Sequence, residues 1–237
     1  MNYRHAFHAG GFVDVVKHLI LTRIIEYLKL KQAAFRVIDT HAGLGRYDLT
    51  SEEAKRSPEW QEGIQRLFNK GLPDAAMSLA QPYVDAVRSE NRKGNALVAY
   101  PGSPLIALRA LRPQDRLMLC ELHAEEFALL KQAAPNAQLH HRDGYEALKA
   151  LTPFAERRGL VLIDPPYEQP GELPRLPREL LAAHKRFATG VYALWYPLKD
   201  EGPIAGLKRQ LKDAGLRRIL QVELRLTPLV QGGMLHG

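Results

Sequence analysis

From Phe35 to Leu224 the sequence keeps returning to one pattern: a short apolar run, an acid or turn at its end, then a segment with helical spacing. The runs are FRVIDTHAG from Phe35, RLMLCEL (116–122), AQLHHRD (137–143), GLVLID (159–164), GVYALWYPL (190–198) and RRILQVEL (217–224). Strand and helix alternating at this spacing predict a mostly parallel sheet with helices on both faces. Such sheets bind ligands at the carboxyl ends of their strands, in the crevice where strand order reverses. Asp39, Glu121, Asp143 and Asp164 all stand at those ends.

Other segments fill in the helices. VDVVKHLILTRIIEYLKLK, from Val13, carries Val16, Leu19, Ile20, Ile24, Tyr27 and Leu28 at helical spacing. Residues 50–95 are more polar, with helical stretches near Pro58–Phe68 and Pro73–Asn91, the second interrupted by Pro82. SPLIALRAL reads as a helix with Ser103 as its N-cap and Pro104 at the first helical position. A proline- and glycine-rich loop (168–177) leads to a helix near Arg178–Phe187, and IAGLKRQLKDAG is a further helix.

A chain of 237 residues accommodates one α/β domain with a subdomain inserted in it. One cysteine excludes a disulfide framework and a Cys-based zinc cluster, and fits a reducing compartment. The opening MNYRHAFHAGG has no apolar signal region, and no run is long enough to span a bilayer. The expectation is a cytoplasmic protein. A net charge of +7 fits a polyanionic partner, although charge alone does not say which nucleic acid. Residues 1–36 hold six Lys/Arg against two acids, and residues 199–225 seven against four. Such charges also serve as plain solvated faces.

The turn after the first strand, Asp39-Thr40-His41-Ala42-Gly43-Leu44-Gly45, lets backbone approach a ligand closely. Asp48 stands where a dinucleotide fingerprint needs its third glycine, and no P-loop occurs. Glu121 can accept both hydroxyls of a ribose. It lies 82 positions after Asp39, against about 20 in a simple unit. The surplus matches the polar block, so the organisation expected is a core of 1–48 and 96–237 with a helical subdomain, 49–95, inserted. Asp143 fits two roles, accepting from an adenine amino group or capping the helix that starts near Tyr145.

Asp164-Pro165-Pro166-Tyr167 closes the GLVLID run. An exocyclic amino group on adenine is a poor nucleophile because its lone pair is delocalised into the ring. The Asp164 carboxylate and the Pro165 carbonyl can each accept one of its N–H bonds, turning the nitrogen toward an electrophile. Proline lacks an N–H and holds its predecessor extended, so the geometry is preorganised. Tyr167 can stack on an extruded base, a contact worth about 1–3 kcal/mol. The cost of unstacking, about a few kcal/mol, is of the same order.

D-P-P-Y downstream of a glycine turn resembles the S-adenosylmethionine-dependent amino methyltransferases. YRHAFHAGGFVDVVKH, DTHAGLGRYDL, YPGSPLIA, ELH, RDGY, GLVLIDPPYE and KRFATGVYALWYP together resemble a narrower group, the bacterial 23S rRNA adenine-N6-methyltransferase J (RlmJ-like) family, from Tyr3 to about Leu226. The resemblance implies a Rossmann-like class I methyltransferase fold. It also implies transfer from S-adenosylmethionine to one adenine N6 of protein-poor 23S rRNA, direct and in line, by a monomer without metal. It assigns His18, His41, Ser103, Glu121, Asp143 and Gly144 to the cofactor, and Asp164 to cofactor and target adenine. Tyr3 and Lys17 would contact substrate beside Tyr167. Family members continue roughly 40 residues past GGMLHG into a final antiparallel strand, so that strand is expected to be missing here.

Two other functions use parts of the same sequence. A DNA adenine-N6 or cytosine-N4 methyltransferase shares the D-P-P-Y chemistry, and an RNA-binding protein could keep the fold without catalysis. A glutamine methyltransferase usually carries Asn where Asp164 stands. His5, His8, His18 and His41 lack an acid at ligand spacing, so no metal site is expected.

Overall fold

The computed structural model describes residues 5–92, 96–168, 171–198 and 201–224. In chain order the strands are β1 (Arg36–Asp39), β2 (Arg46–Asp48), β3 (Ala99–Pro101), β4 (Arg116–Glu121), β5 (Gln138–His141), β6 (Gly159–Ile163) and β7 (Val191–Leu194). The helices are α1 (Phe12–Lys29), α2 (Glu52–Arg56), α3 (Arg66–Lys70), α4 (Asp74–Glu90), α5 (Ser103–Ala110), α6 (Ala124–Ala133), α7 (Gly144–Ala150), α8 (Glu172–Arg186) and α9 (Glu201–Asp213).

Five strands form one parallel sheet in the order β5-β4-β1-β6-β7. The inner strands β1, β4 and β6 are apolar along their centres because both faces are covered, whereas the edge strand β5, QLHH, is partly exposed. Alternate residues point to opposite sides. Val37, Leu117, Leu119, Leu160 and Leu162 enter one core, with Leu21 and Ile25 of α1, Val84 and Val87 of α4 and Ile106 of α5. Ile38, Met118, Cys120, Val161 and Ile163 enter the other, with Leu148 of α7, Leu176 and Leu180 of α8 and Leu207 of α9. The chain leaves β1 outward to β4 and β5, then returns to β6 and β7 on the other side. The reversal at β1 opens a crevice at the carboxyl ends of β1, β4 and β6.

The polar block leaves the sheet between β2 and β3, which pair antiparallel with Tyr47 opposite Tyr100. At three residues each, RYD and AYP are too short for sequence periodicity to mark them as strands. Within the block, α4 packs on α1 and α5, and it runs unbroken through Pro82 instead of stopping there. A π-helical turn, Gln61–Gln65, presses on the start of α1, where Ile64 N–H donates to the Gly10 carbonyl at 2.9 Å. A Cβ on Gly63 would fall 2.2 Å from that same oxygen, so only glycine allows the approach.

Four further expectations change. Gly102, not Ser103, is the N-cap of α5, and Ser103 is its first residue. The helix after the D-P-P-Y loop begins at Glu172, with Pro174 in its first turn, where no N–H is missed, and Pro177 inside. On α1 the buried face is Asp14, Lys17, His18, Leu21, Thr22, Ile25 and Leu28, whereas Tyr27 is exposed. That helix turns a partly polar side toward the crevice. Residues 217–224 form no strand, and Leu220 is 88% exposed. A strand needs a ladder partner, and among the described residues the sheet ends at β7. No described helix is long and apolar enough to cross a membrane.

Candidate active site

β1 delivers Asp39, Thr40 and His41 to the crevice. The Thr40 hydroxyl donates to the Leu162 carbonyl at 2.9 Å and meets His41 Nδ1 at 2.8 Å. A hydroxyl has one proton, so Nδ1 is the donor in the second bond and His41 Nε2 is left with a bare lone pair. Burial pushes the His41 pKa down to about 4 against the pull of Asp164 and Asp143, so the ring stays neutral. Its ring meets Tyr145 edge-on at 5.3 Å.

The next two acids hold backbone. Glu121 is 6% exposed, so it is not a solvated strand end. It accepts from Gly43 N–H at 2.8 Å and from His123 N–H at 2.7 Å, one bond to each oxygen. The glycine turn is thereby tied to β4, and each oxygen keeps acceptor capacity. Asp143 caps α7, its Oδ1 accepting from Tyr145 and Glu146 N–H at 2.7 and 3.0 Å. Gly144 follows because a Cβ there would lie 2.2 Å from the Thr40 carbonyl oxygen.

α1 supplies the wall opposite. His18 is 1% exposed. Its Nδ1 meets the Tyr100 hydroxyl at 2.7 Å, and its Nε2 has no hydrogen-bond partner. Burial lowers its pKa to about 3. Lys17 Nζ lies 2.5 Å from Asp164 Oδ2 and 3.0 Å from Asp14 Oδ1. Burial alone would favour a neutral amine, yet the two carboxylates raise the pKa of Lys17 above its ordinary value. Lys17 is thus a fixed cation.

Asp164 follows β6, with its side chain 19% exposed. Pro165 is buried and Pro166 exposed. Tyr167 takes the left-handed conformation (φ 55°), and its hydroxyl donates to the Trp195 carbonyl, which fixes the ring beside β7. Tyr3 lies outside the described residues. Of the four histidines, His5 pairs with Asp14 and His8 with Glu59, each at 2.9 Å. The described residues contain no cluster of three or more metal-ligating side chains.

Asp39 is 1% exposed and accepts from His41 N–H. Burial raises its pKa to about 6, the Ser103 hydroxyl opposing and Asp164 adding to the rise. A carboxyl raised in the folded state ionises at a cost to stability. That cost is absent below the unfolded pKa and complete above the folded one. Asp39→Asn is therefore expected to stabilise the ligand-free protein by about 2–3 kcal/mol at pH 7.5. The gain should close as pH falls toward 4. Urea titrations at the two pH values check this, and a gain independent of pH would remove the assignment.

A nucleoside cofactor with a cationic amino acid head fits this set. The buried acid Asp39 would gain a cation, the unpartnered His18 Nε2 a partner, and Glu121 and Asp143 retain acceptor capacity at the far end. The comparisons agree with the chemistry. Residues 32–236 match the family model described as "Ribosomal RNA large subunit methyltransferase D, RlmJ". The chain belongs to this family. Ribosomal RNA large subunit methyltransferase J of Escherichia coli K12 is 45% identical over 231 residues, covering 96% of this chain and 81% of that protein. The Haemophilus influenzae protein of the same name is 41% identical over the same extents. The crystal structure of protein LPL1258 from Legionella pneumophila superposes with a TM-score of 0.79 at 37% identity, covering 88% of this chain and 76% of that one. The RlmJ family assignment accords with a Rossmann-like class I sheet and with S-adenosylmethionine as methyl donor.

Sequence reasoning missed Asp14, the second carboxylate on Lys17. Its signal is the spacing of Asp14, Lys17 and His18, three polar residues on one side of an apolar helix.

Proposed function

We propose that the protein methylates N6 of one adenosine in 23S ribosomal RNA, and that Asp164 with the Pro165 carbonyl grips the target amine. The observation that carries this reading is the ion pair between Lys17 and Asp164 at the carboxyl end of β6. The cation engages Oδ2 of Asp164 and leaves Oδ1 to accept from the amine. Bound S-adenosylmethionine supplies an electrophilic methyl on a sulfonium. With the cofactor bound, Asp164 and Pro165 would orient the amine's lone pair; the N–C bond would form as the sulfonium's S–C bond breaks to leave a neutral thioether, and the nitrogen would release one proton along its hydrogen bond to Asp164. Lys17 stays protonated and is not the base. His18, His41, Ser103, Glu121, Asp143 and Gly144 would hold the cofactor, while Tyr167, Tyr3 and Lys17 would contact substrate.

The β2–β3 pair supports treating 49–95 as an insertion in the 1–48 and 96–237 core. The net charge of +7 and a substrate base that must leave its stack favour protein-poor RNA over an assembled subunit. A monomer in the cytoplasm fits the single cysteine, which is buried and free. Incubating the protein with methyl-labelled S-adenosylmethionine and either deproteinised 23S rRNA or DNA oligonucleotides tests the reading. Mass spectrometry should find N6-methyladenosine in the RNA alone. Label in DNA, or at another atom, overturns it.

A further inference from the structure

Three groups converge on Asp14, which is 1% exposed in the first turn of α1. Gly10 N–H and His5 Nε2 reach its Oδ2 at 3.0 and 2.9 Å, and Lys17 Nζ reaches its Oδ1 at 3.0 Å. The other carboxylate on Lys17 is Asp164, 147 residues away in sequence. Asp14 therefore stands one cation removed from the acid that grips the amine, and it joins that cation to the turn at residues 5–10.

We propose that Asp14 is a positioning residue for methyl transfer, setting through Lys17 how tightly the Asp164 carboxylate is held and where it points. The inference rests on Asp164 acting as the amine-gripping acid. Coulomb attraction is pairwise, so Asp14 acts on Asp164 by setting where the ammonium sits: Lys17 Nζ is held between the two carboxylates, and their opposing pulls fix its distance from each. With Asp14 uncharged, nothing holds Lys17 back from Asp164, so the ammonium moves closer to that carboxylate and withdraws electron density from the oxygens that must hold the amine. The Asp14 carboxyl lies well below its ordinary pKa: burial works to raise it, and His5 and Lys17 override that. It is charged across the working range. An acid in the first turn of a helix also stabilises the helix, and a purely structural Asp14 would do no more than that.

The two roles separate in a double-mutant cycle. Asp14→Asn and Asp14→Glu are made in the full chain, alone and with Lys17→Met. Single-turnover rates with labelled S-adenosylmethionine and deproteinised 23S rRNA are scaled to cofactor-binding sites counted by calorimetry. D14N is expected to lower the methyl-transfer rate about 10–100-fold, as loss of an outer partner of an active-site group does elsewhere. The dissociation constant for S-adenosylmethionine should not change. In the Lys17→Met background D14N should cost nothing more, because its path to Asp164 is already cut. An equal loss in both backgrounds, or no loss, overturns the proposal. Should D14N fail to fold, D14E keeps the charge and moves it by one methylene. It should lose part of the rate, and again only when Lys17 is present; a wild-type rate in D14E then overturns the proposal. If wild-type protein itself transfers no methyl to RNA, the functional reading fails; a normal wild type with unaffected variants defeats this inference alone.

Discussion

Asp164→Ala is expected to reduce methyl transfer to rRNA by at least about 10²–10³-fold, the loss seen when one preorganised electrostatic partner of a transition state is removed. The fold should survive. The Asp164 side chain is 19% exposed, and Lys17 keeps Asp14 as its partner, so no buried cation is stranded. Pro165 still fixes the corner, but a carbonyl alone restrains only one of the two N–H bonds. The amine can then rest coplanar with the ring, its lone pair delocalised into the π system, where it does not attack. Label incorporation beside a thermal melt and calorimetric titration with S-adenosylmethionine measures chemistry, fold and binding separately. A variant that melts normally and retains activity within tenfold of wild type would remove Asp164 from the mechanism.

The parts of this molecule legible in the sequence are those set by one local rule. Strands covered on both faces must be apolar throughout, so VIDT, LMLCE and LVLID announced a parallel sheet, and their terminal acids marked the crevice. Asp164-Pro165-Pro166-Tyr167 was legible for the same reason, since proline fixes backbone wherever it falls. What failed depended on partners distant in sequence. RRILQVEL has strand spacing, yet among the described residues its backbone finds no ladder partner. On α1 the apolar residues at helical spacing pointed to one side, whereas the burial of Asp14, Lys17 and His18 is set by Asp164, His5 and Tyr100. Prolines misled at α8, where Pro174 falls among the first-turn N–H groups that have no helical partner and so breaks nothing.

Lys17→Met carries the other large effect, and its sign with pH identifies the cause. The substitution leaves Asp14 and Asp164 as neighbouring acids with no ammonium between them, Asp14 fully buried and Lys17's own site only 7% exposed. Removing one member of a buried ion pair costs about 3–5 kcal/mol, part of which His5 offsets by keeping its contact with Asp14. In the wild type the depressed Asp14 carboxyl contributes stability above the unfolded pKa near 3.8, lost only as pH falls through its lower folded value. In the variant burial dominates and the folded pKa of Asp14 rises instead. Ionised Asp14 then destabilises the fold, most strongly at neutral pH. The stability difference between wild type and Lys17→Met should accordingly be largest near pH 7 and shrink as pH falls through 4, where Asp14 takes up a proton in the folded variant and in the unfolded chain. Lys17 itself adds no slope across that range, because its raised pKa keeps it charged throughout. Methyl transfer should fall as well, since Asp164 loses the cation that fixes its orientation. Urea titrations at pH 4 and pH 7 give the comparison. A deficit of the same size at both would mean that Lys17 contributes through packing of its four-carbon stem, not through the two charges it separates.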